Sequence, residues 1–362
     1  MLREELVEEE KWITRERFNR VLSVYQVLPG PEAHELCVYF GMLKGGRMGG
    51  FLAGLAFMLP GFVLMLALSW FYLRYGLTIP LFAAVFAGFQ PAVAALIVRA
   101  VQRIAQHALT DRWLVGLAML GGIAELLKIH FALTLVFAGL AYVLVRRHRL
   151  AAAGLLTAAF LSAIIYFSIS VLEPAAGLPA GPAASFTPPS ILALFGYGLR
   201  AGLLTFGGAY TVIPFLQRDA VVVGGWMTGE QFLDGLALSG ILPAPLIIFS
   251  TFVGYLGGGG LGALAITAGI FLPAFSFTLI GHDYMERLVE NRALHNFLDG
   301  VTAGVVGLIG ATALTLLFTA LDNPPAVLIF VLGLLVLFAW KAKGAVAVVV
   351  LGAGLLGLLL YR

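Results

Sequence analysis

Charged side chains are scarce in this chain. Asp, Glu, Lys and Arg make up 11% of its 362 residues, where a soluble domain carries about 25%. With 60% of the residues hydrophobic, that shortage excludes a water-soluble globule and marks an integral membrane protein, read as a single membrane domain. One cysteine, Cys37, excludes an intrachain disulfide and leaves no thiol pair for redox chemistry. Enzyme signatures are missing too: no His-Glu-x-x-His, no Gly-x-Ser-x-Gly and no Gly-x-x-x-x-Gly-Lys-Ser/Thr. The run Gly257–Gly260 is not a phosphate loop, because no Lys-Ser/Thr follows it. No His/Cys cluster suggests a metal, so no cofactor, no catalysis and no nucleic-acid partner are expected. Without a nucleotide site, any transport must run on a gradient, on the membrane potential or by facilitated diffusion. A signal peptide is not visible, since the first twenty residues hold 11 of the 41 charges and no apolar core.

What the chain does have is a duplication. Trp12, Thr14, Phe18, Leu22, Leu28, Pro29 and Pro31 recur 214 positions later as Trp226, Thr228, Phe232, Leu236, Leu242, Pro243 and Pro245. After a one-residue slip, Gly41, Leu43, Gly45, Gly46, Gly49, Leu59 and Pro60 answer to Gly254, Leu256, Gly258, Gly259, Gly262, Leu272 and Pro273. Gly88 aligns with Gly300, and Asp111 with Asn323. Helix-breaking Pro and Gly at equivalent places in two apolar halves is how secondary transporters are built.

Candidate spans are Phe51–Leu73, Ile79–Val101, Trp113–Leu127, Phe131–Val145, Leu150–Leu172, Ile191–Leu216, Leu261–Ile280, Leu294–Leu317, Ala326–Trp340 and Ala345–Leu360. Thr14–Gly45 and Thr228–Gly257 each carry a Leu-Pro-Gly/Ala-Pro break and read as two half-helices. The predicted fold is an all-α membrane protein of two inverted-topology repeats. Residues 1–148 form the first repeat, 149–189 a connecting transmembrane helix and a Pro/Ala/Gly loop, and 190–362 the second repeat. Basic residues fix the orientation. Lys44, Arg47, Arg99, Arg103, Arg112, Arg146, Arg147, Arg149, Arg287, Arg292, Lys341 and Lys343 fall in turns that simple alternation puts on one side, which the positive-inside rule makes cytoplasmic. The C-terminus is then expected outside. The partner of Ile191–Leu216 would lie before Met1, so the expected true start is upstream.

Two prolines two apart cannot sit in a regular helix. Leu28-Pro29-Gly30-Pro31 and Leu242-Pro243-Ala244-Pro245 should therefore free backbone groups at membrane depth, tolerated only where protein or a wet cavity receives them. The half-helix after each break offers N–H donors and a positive dipole end to an anion; a structural kink is the bland alternative. Thr205-Phe206-Gly207-Gly208 is either an unwound turn or a close helix contact. Arg200 is expected to share a helix face with Leu204 and Gly207 and to offer its fork of donors to an oxyanion, or else to reach the interface. Asp234 is a candidate for coupling, or for an ion pair. Asp299 should cap a helix starting near Gly300 or lie at the membrane interface, Glu125 should pair with Lys128, and His282–Arg287 should be a solvated loop.

Phe206-Gly207-Gly208 with Ile213-Pro214, Trp226-Met227-Thr228 with Phe232, and both Leu-Pro-x-Pro breaks with their glycine-rich turns resemble the chromate transporter family in its long two-domain form. The resemblance covers nearly the whole chain, but the first Phe-Gly-Gly helix of the family pattern has no counterpart here. It implies a carrier in the cytoplasmic membrane, linked to proton-motive force or potential, that expels chromate and so confers resistance. Sulfate is chromate's near isostere. The family's basic residue before Phe-Gly-Gly is Arg200 here. A tetrahedral dianion would then bind between the two half-helix starts and Arg200, with no acid nearby. A homodimer is compatible with this reading and not required by it.

Overall fold

The computed structural model describes residues 4–9, 11–25, 30–76, 78–172, 188–206, 208–281, 292–340 and 344–361. Leu28, Pro29, Gly207, most of the loop between the repeats, the 282–287 turn, Lys341 and Lys343 lie outside them.

The described residues form helices and no strand. In chain order these are α1 (Arg15–Tyr25), α2 (Glu32–Phe71), α3 (Pro80–Ala108), α4 (Arg112–Leu126), α5 (Phe131–Arg146), α6 (Leu150–Leu172) and α7 (Ile191–Leu203). They continue with α8 (Ile213–Gln217), α9 (Gly229–Ile241), α10 (Phe249–Leu279), α11 (Arg292–Ala320), α12 (Pro324–Ala339) and α13 (Ala345–Leu360). Four stretches are long and apolar enough to cross a bilayer: Glu32–Gly76, Pro80–Ala108, Leu246–Leu279 and Ala293–Ala320. Apolar side chains such as Leu155, Leu192 and Phe318 are about three-quarters exposed, a surface that only lipid or protein could cover.

Neither α2 nor α10 is straight. Each turns back on itself at a glycine pair, and the two turns share one conformation. Gly45 and Gly46 have φ/ψ of −126/21° and 61/−161°; Gly258 and Gly259 have −160/27° and 61/−152°. Nothing lies within 4 Å of a Cβ placed on Gly46 or Gly259, so glycine is needed there for its positive φ and not for room. Room is the reason one step away. A Cβ on Gly41 would stand 2.6 Å from the Gly49 carbonyl oxygen, and one on Gly254 would stand 2.4 Å from that of Gly262. These contacts clamp the limbs of each hairpin backbone to backbone.

The long helices exchange partners between halves. α3 packs against α12 and α13, while its counterpart α11 packs against α4 and α5. A Cβ on Gly88 of α3 would meet the Ala353 carbonyl oxygen at 2.2 Å, and one on Gly300 of α11 would meet that of Ala138 at 2.4 Å. Caps repeat as well. Asp111 accepts the N–H groups of Trp113 and Leu114 at 2.8 and 2.9 Å, and the Tyr142 hydroxyl at 2.8 Å. Asn323 accepts Ala326 N–H and the Tyr361 hydroxyl, both at 2.9 Å. Each cap satisfies orphan donors of the helix start and pins it to the last helix of its repeat.

Two expectations fail here. Ile191–Leu216 is not one span: α7 stops at Leu203, and the chain resumes through a 3₁₀ turn at Ala209–Val212 into α8. Leu204 caps α7 through its N–H to the Arg200 carbonyl oxygen at 3.1 Å, so the face expected to run on from Arg200 stops there, and Gly207 lies outside the described residues. Asp299 is exposed and sits inside α11, well past its start, so it caps nothing.

Candidate functional site

Irregular segments from both halves converge. The N–H of Gly30 donates to the Thr205 carbonyl oxygen at 2.9 Å, tying the chain just before α2 to the chain just after α7. Gly30 has φ +146°, a region closed to other residues. Thr205 is fully buried and returns its hydroxyl to the Ala201 carbonyl at 2.7 Å. Phe206 is buried, and Gly208 has φ +123°.

On the other side α9 ends at Ile241, with Leu242 extended as the residue before Pro243 must be. After Pro245 a single 3₁₀ turn, Leu246–Ile248, leads into α10. Ser239 of α9 donates across the gap to the Leu246 carbonyl oxygen at 3.0 Å. Ala244 lies beside Gly61 of α2, whose added Cβ would stand 2.7 Å from the Ala244 Cβ. Residues 246–248 touch residues 209–212. Gly30 and Thr205 are thus bonded directly, and the 3₁₀ turns that follow Thr205 and Pro245 touch each other.

Arg200, expected to have no acid nearby, is not free of acids. On the last turn of α7 its guanidinium bonds the Asp219 carboxylate and lies over the rings of Phe131 and Tyr197, at 5.2 and 5.5 Å. The Arg200 side chain is 35% exposed; that of Asp219 is 4% exposed. Nε of Arg200 and Oδ2 of Asp219 are buried without partners, so one donor and one acceptor of the pair remain uncommitted. Next to it, Arg218 reaches Glu125 at 3.7 Å and the Ile129 carbonyl oxygen at 3.3 Å. The Glu125 partner is therefore Arg218. Lys128, expected to pair with Glu125, is exposed, at the left-handed residue that ends the α4 turn. His130 caps α5 by accepting Ala132 N–H at Nδ1, 3.3 Å. Burial, with help from the cations Arg218 and Arg200, lowers its pKa below the usual imidazole value.

The start of α2 also differs from expectation. It carries Glu32 and Glu35 in its first turn, so acids stand at an end foreseen for an anion. His34 and Glu35 are both fully buried; the His34 ring faces the Gly54 backbone, and neither carboxyl oxygen of Glu35 has a partner.

Asp234 is 1% exposed and has neutral partners instead of a cation. Tyr72 donates to Oδ2 at 2.8 Å and Gln90 to Oδ1 at 3.2 Å. It forms part of the wall of a cavity of about 450 Å³ shared with Glu230, Asp322, Asn323 and Tyr361.

Asp219, His34, Glu35 and Ser239 were missed from sequence. Asp219 follows a segment read as continuous helix, which placed it a full span from Arg200. The pair His34-Glu35, two ionisable residues directly after a Pro-x-Pro break in so apolar a chain, was a usable signal.

Taken together, long apolar helices, paired hairpins and a lipid-ready surface define a multi-pass helical membrane protein. The chain matches the family described as "Chromate transporter" over residues 1–167 and 192–358, and it belongs to that family of membrane transporters. It is 53% identical to the chromate transport protein of Pseudomonas aeruginosa over 371 residues, covering 100% of this chain and 87% of that protein. Against the chromate transport protein of Cupriavidus metallidurans it is 30% identical over 99% of this chain and 86% of the relative. The probable chromate transport protein of Synechococcus elongatus is 29% identical over 93% and 83%. No solved structure matches the chain.

Proposed function

We propose that this chain is a carrier of tetrahedral oxyanion dianions, exporting chromate across the cytoplasmic membrane and so conferring resistance, with sulfate as a second ligand. The observation that carries the reading is the Gly30–Thr205 bond together with the contact between the two 3₁₀ turns, residues 209–212 and 246–248, that follow Thr205 and Pro245. The described residues Gly30 and Thr205 meet there, at the ends of segments that the proline breaks and the Phe-Gly-Gly motif interrupt. Unpaired N–H groups at such helix starts suit an oxyanion. Arg200 supplies the cation, exchanging part of its bonding from Asp219 to the ligand as the site fills.

The two repeats are inverted in this reading, joined through α6, and rock about the junction to give alternating access. The reciprocal pairing of α3 with α12 and α13, and of α11 with α4 and α5, supports two halves related by a two-fold axis. Asp234 serves coupling: a buried carboxyl beside a polar cavity, held by Tyr72 and Gln90, is placed to exchange a cation or proton.

The test is flux of labelled sulfate into proteoliposomes holding the purified chain, with unlabelled chromate as competitor. Saturable uptake blocked by chromate is expected. Flux that never saturates and follows voltage would make the protein a channel, and no flux of either anion would overturn the reading.

A further inference from the structure

The first-turn acid Glu35 conflicts with an anion at the same helix start, and the conflict suggests how the site is controlled. Glu35 is fully buried and both its carboxyl oxygens lack partners. Its Oε1 would stand 2.7 Å from a Cβ on Gly30, so the carboxyl fills the notch that glycine leaves, beside the Gly30–Thr205 bond. His34 is equally buried, caged by Phe57, Phe271 and Phe275 at ring separations of 6.0, 4.8 and 4.6 Å. The titratable neighbours on the same helix are Glu32, His34, Cys37 and Tyr39, and α1 adds Tyr25. From α10 come Phe271, Ala274 and Phe275, and from the end of α7 Thr205, none of which titrates. Among the described side chains there is no cation to balance Glu35. In the second repeat the corresponding stretch, Ile247-Ile248-Phe249, is wholly apolar, so the device exists once.

We propose that Glu35 is a proton-operated occupant of the oxyanion site: as a carboxylate it repels the dianion from the start of α2, and as the neutral acid it admits it. This rests on the oxyanion reading above. Bringing a dianion beside a bare carboxylate in a dry setting sets like charges together with little screening. Adding one proton to Glu35 removes that repulsion, so proton and oxyanion bind together and cross together. A dianion leaving with one proton still carries one net negative charge outward, so an inside-negative potential drives export.

The experiment measures labelled sulfate flux, with chromate as competitor, in proteoliposomes of the full chain across a pH series, alongside a trapped pH dye. Once most of the carboxyl is ionised, wild-type flux should fall roughly tenfold per pH unit, because only the protonated fraction is competent. E35Q, a permanent mimic of the acid, should transport with a flat profile and without proton movement, while E35D should keep a pH slope. A wild-type slope in E35Q, or oxyanion flux without proton movement in the wild type, overturns the proposal. The wild-type arm decides even where E35Q fails to accumulate. Absence of flux at every pH would overturn the oxyanion reading itself.

Discussion

Arg200 and Asp219 depend on each other in a way that single substitutions will expose. R200A leaves a carboxylate that is almost wholly buried without its cation. Loss of one partner of a buried pair costs about 3–5 kcal/mol, and the partly exposed arginine brings this down to roughly 1–3 kcal/mol. Thermal unfolding in detergent should show R200A destabilised, R200A/D219A destabilised by less than the sum of the single changes, and neither R200A protein transporting oxyanion. Full flux in R200A would remove Arg200 from the site. His130 gives a pH test. Its pKa is lowered, so its contribution is complete above the ordinary histidine value, about 6.5, and is lost as pH falls through the folded value, when Nδ1 gains a proton and can no longer accept Ala132 N–H. Between pH 7 and 5 the melting temperature of H130N should fall less than that of the wild type. Arg200 was legible in sequence because an arginine in an apolar helix needs a reason. Asp219 was not, because reading Ile191–Leu216 as one span sets aside the unwound turn that Thr205–Gly208 offers and puts Asp219 a membrane's width from Arg200.

At the scale of elements, the hairpins separate two uses of glycine. At Gly46 and Gly259 alanine meets no neighbour, and its cost is that of a backbone conformation essentially reserved for glycine, about 1–3 kcal/mol. At Gly41 and Gly254 alanine must push apart two limbs in backbone contact. G254A should therefore lower the melting temperature more than G259A, and G41A more than G46A; equal losses would mean the limbs are not clamped as described. The glycine turns were readable from the repeat, since a pair conserved in position between two halves of one chain needs a shared conformation. The 3₁₀ turn at Ala209–Val212 was not, because Ala, Tyr, Thr and Val carry no turn signal and tertiary contacts with residues 246–248 decide it.

For the whole molecule, the exchange of partners predicts how the halves behave apart. α3 buries its Gly88 face on α13, and α11 buries Gly300, Gly304 and Gly307 on α4 and α5. Residues 1–172 and 188–362 produced separately should be degraded or aggregate, and produced together should co-purify; a stable, monodisperse first half on its own would contradict this. The duplication and the helical class were visible in composition and spacing. The exchange was not, since two apolar helices with small-residue faces have no complementary charges that announce a partner. It also sets a schedule for synthesis. When α3 leaves the ribosome, α13 has not been made, and at usual elongation rates of about 5–20 residues per second it arrives roughly ten to fifty seconds later. Throughout that wait the cell's insertion machinery, or lipid alone, has to shelter a glycine groove shaped for a helix still encoded in messenger RNA.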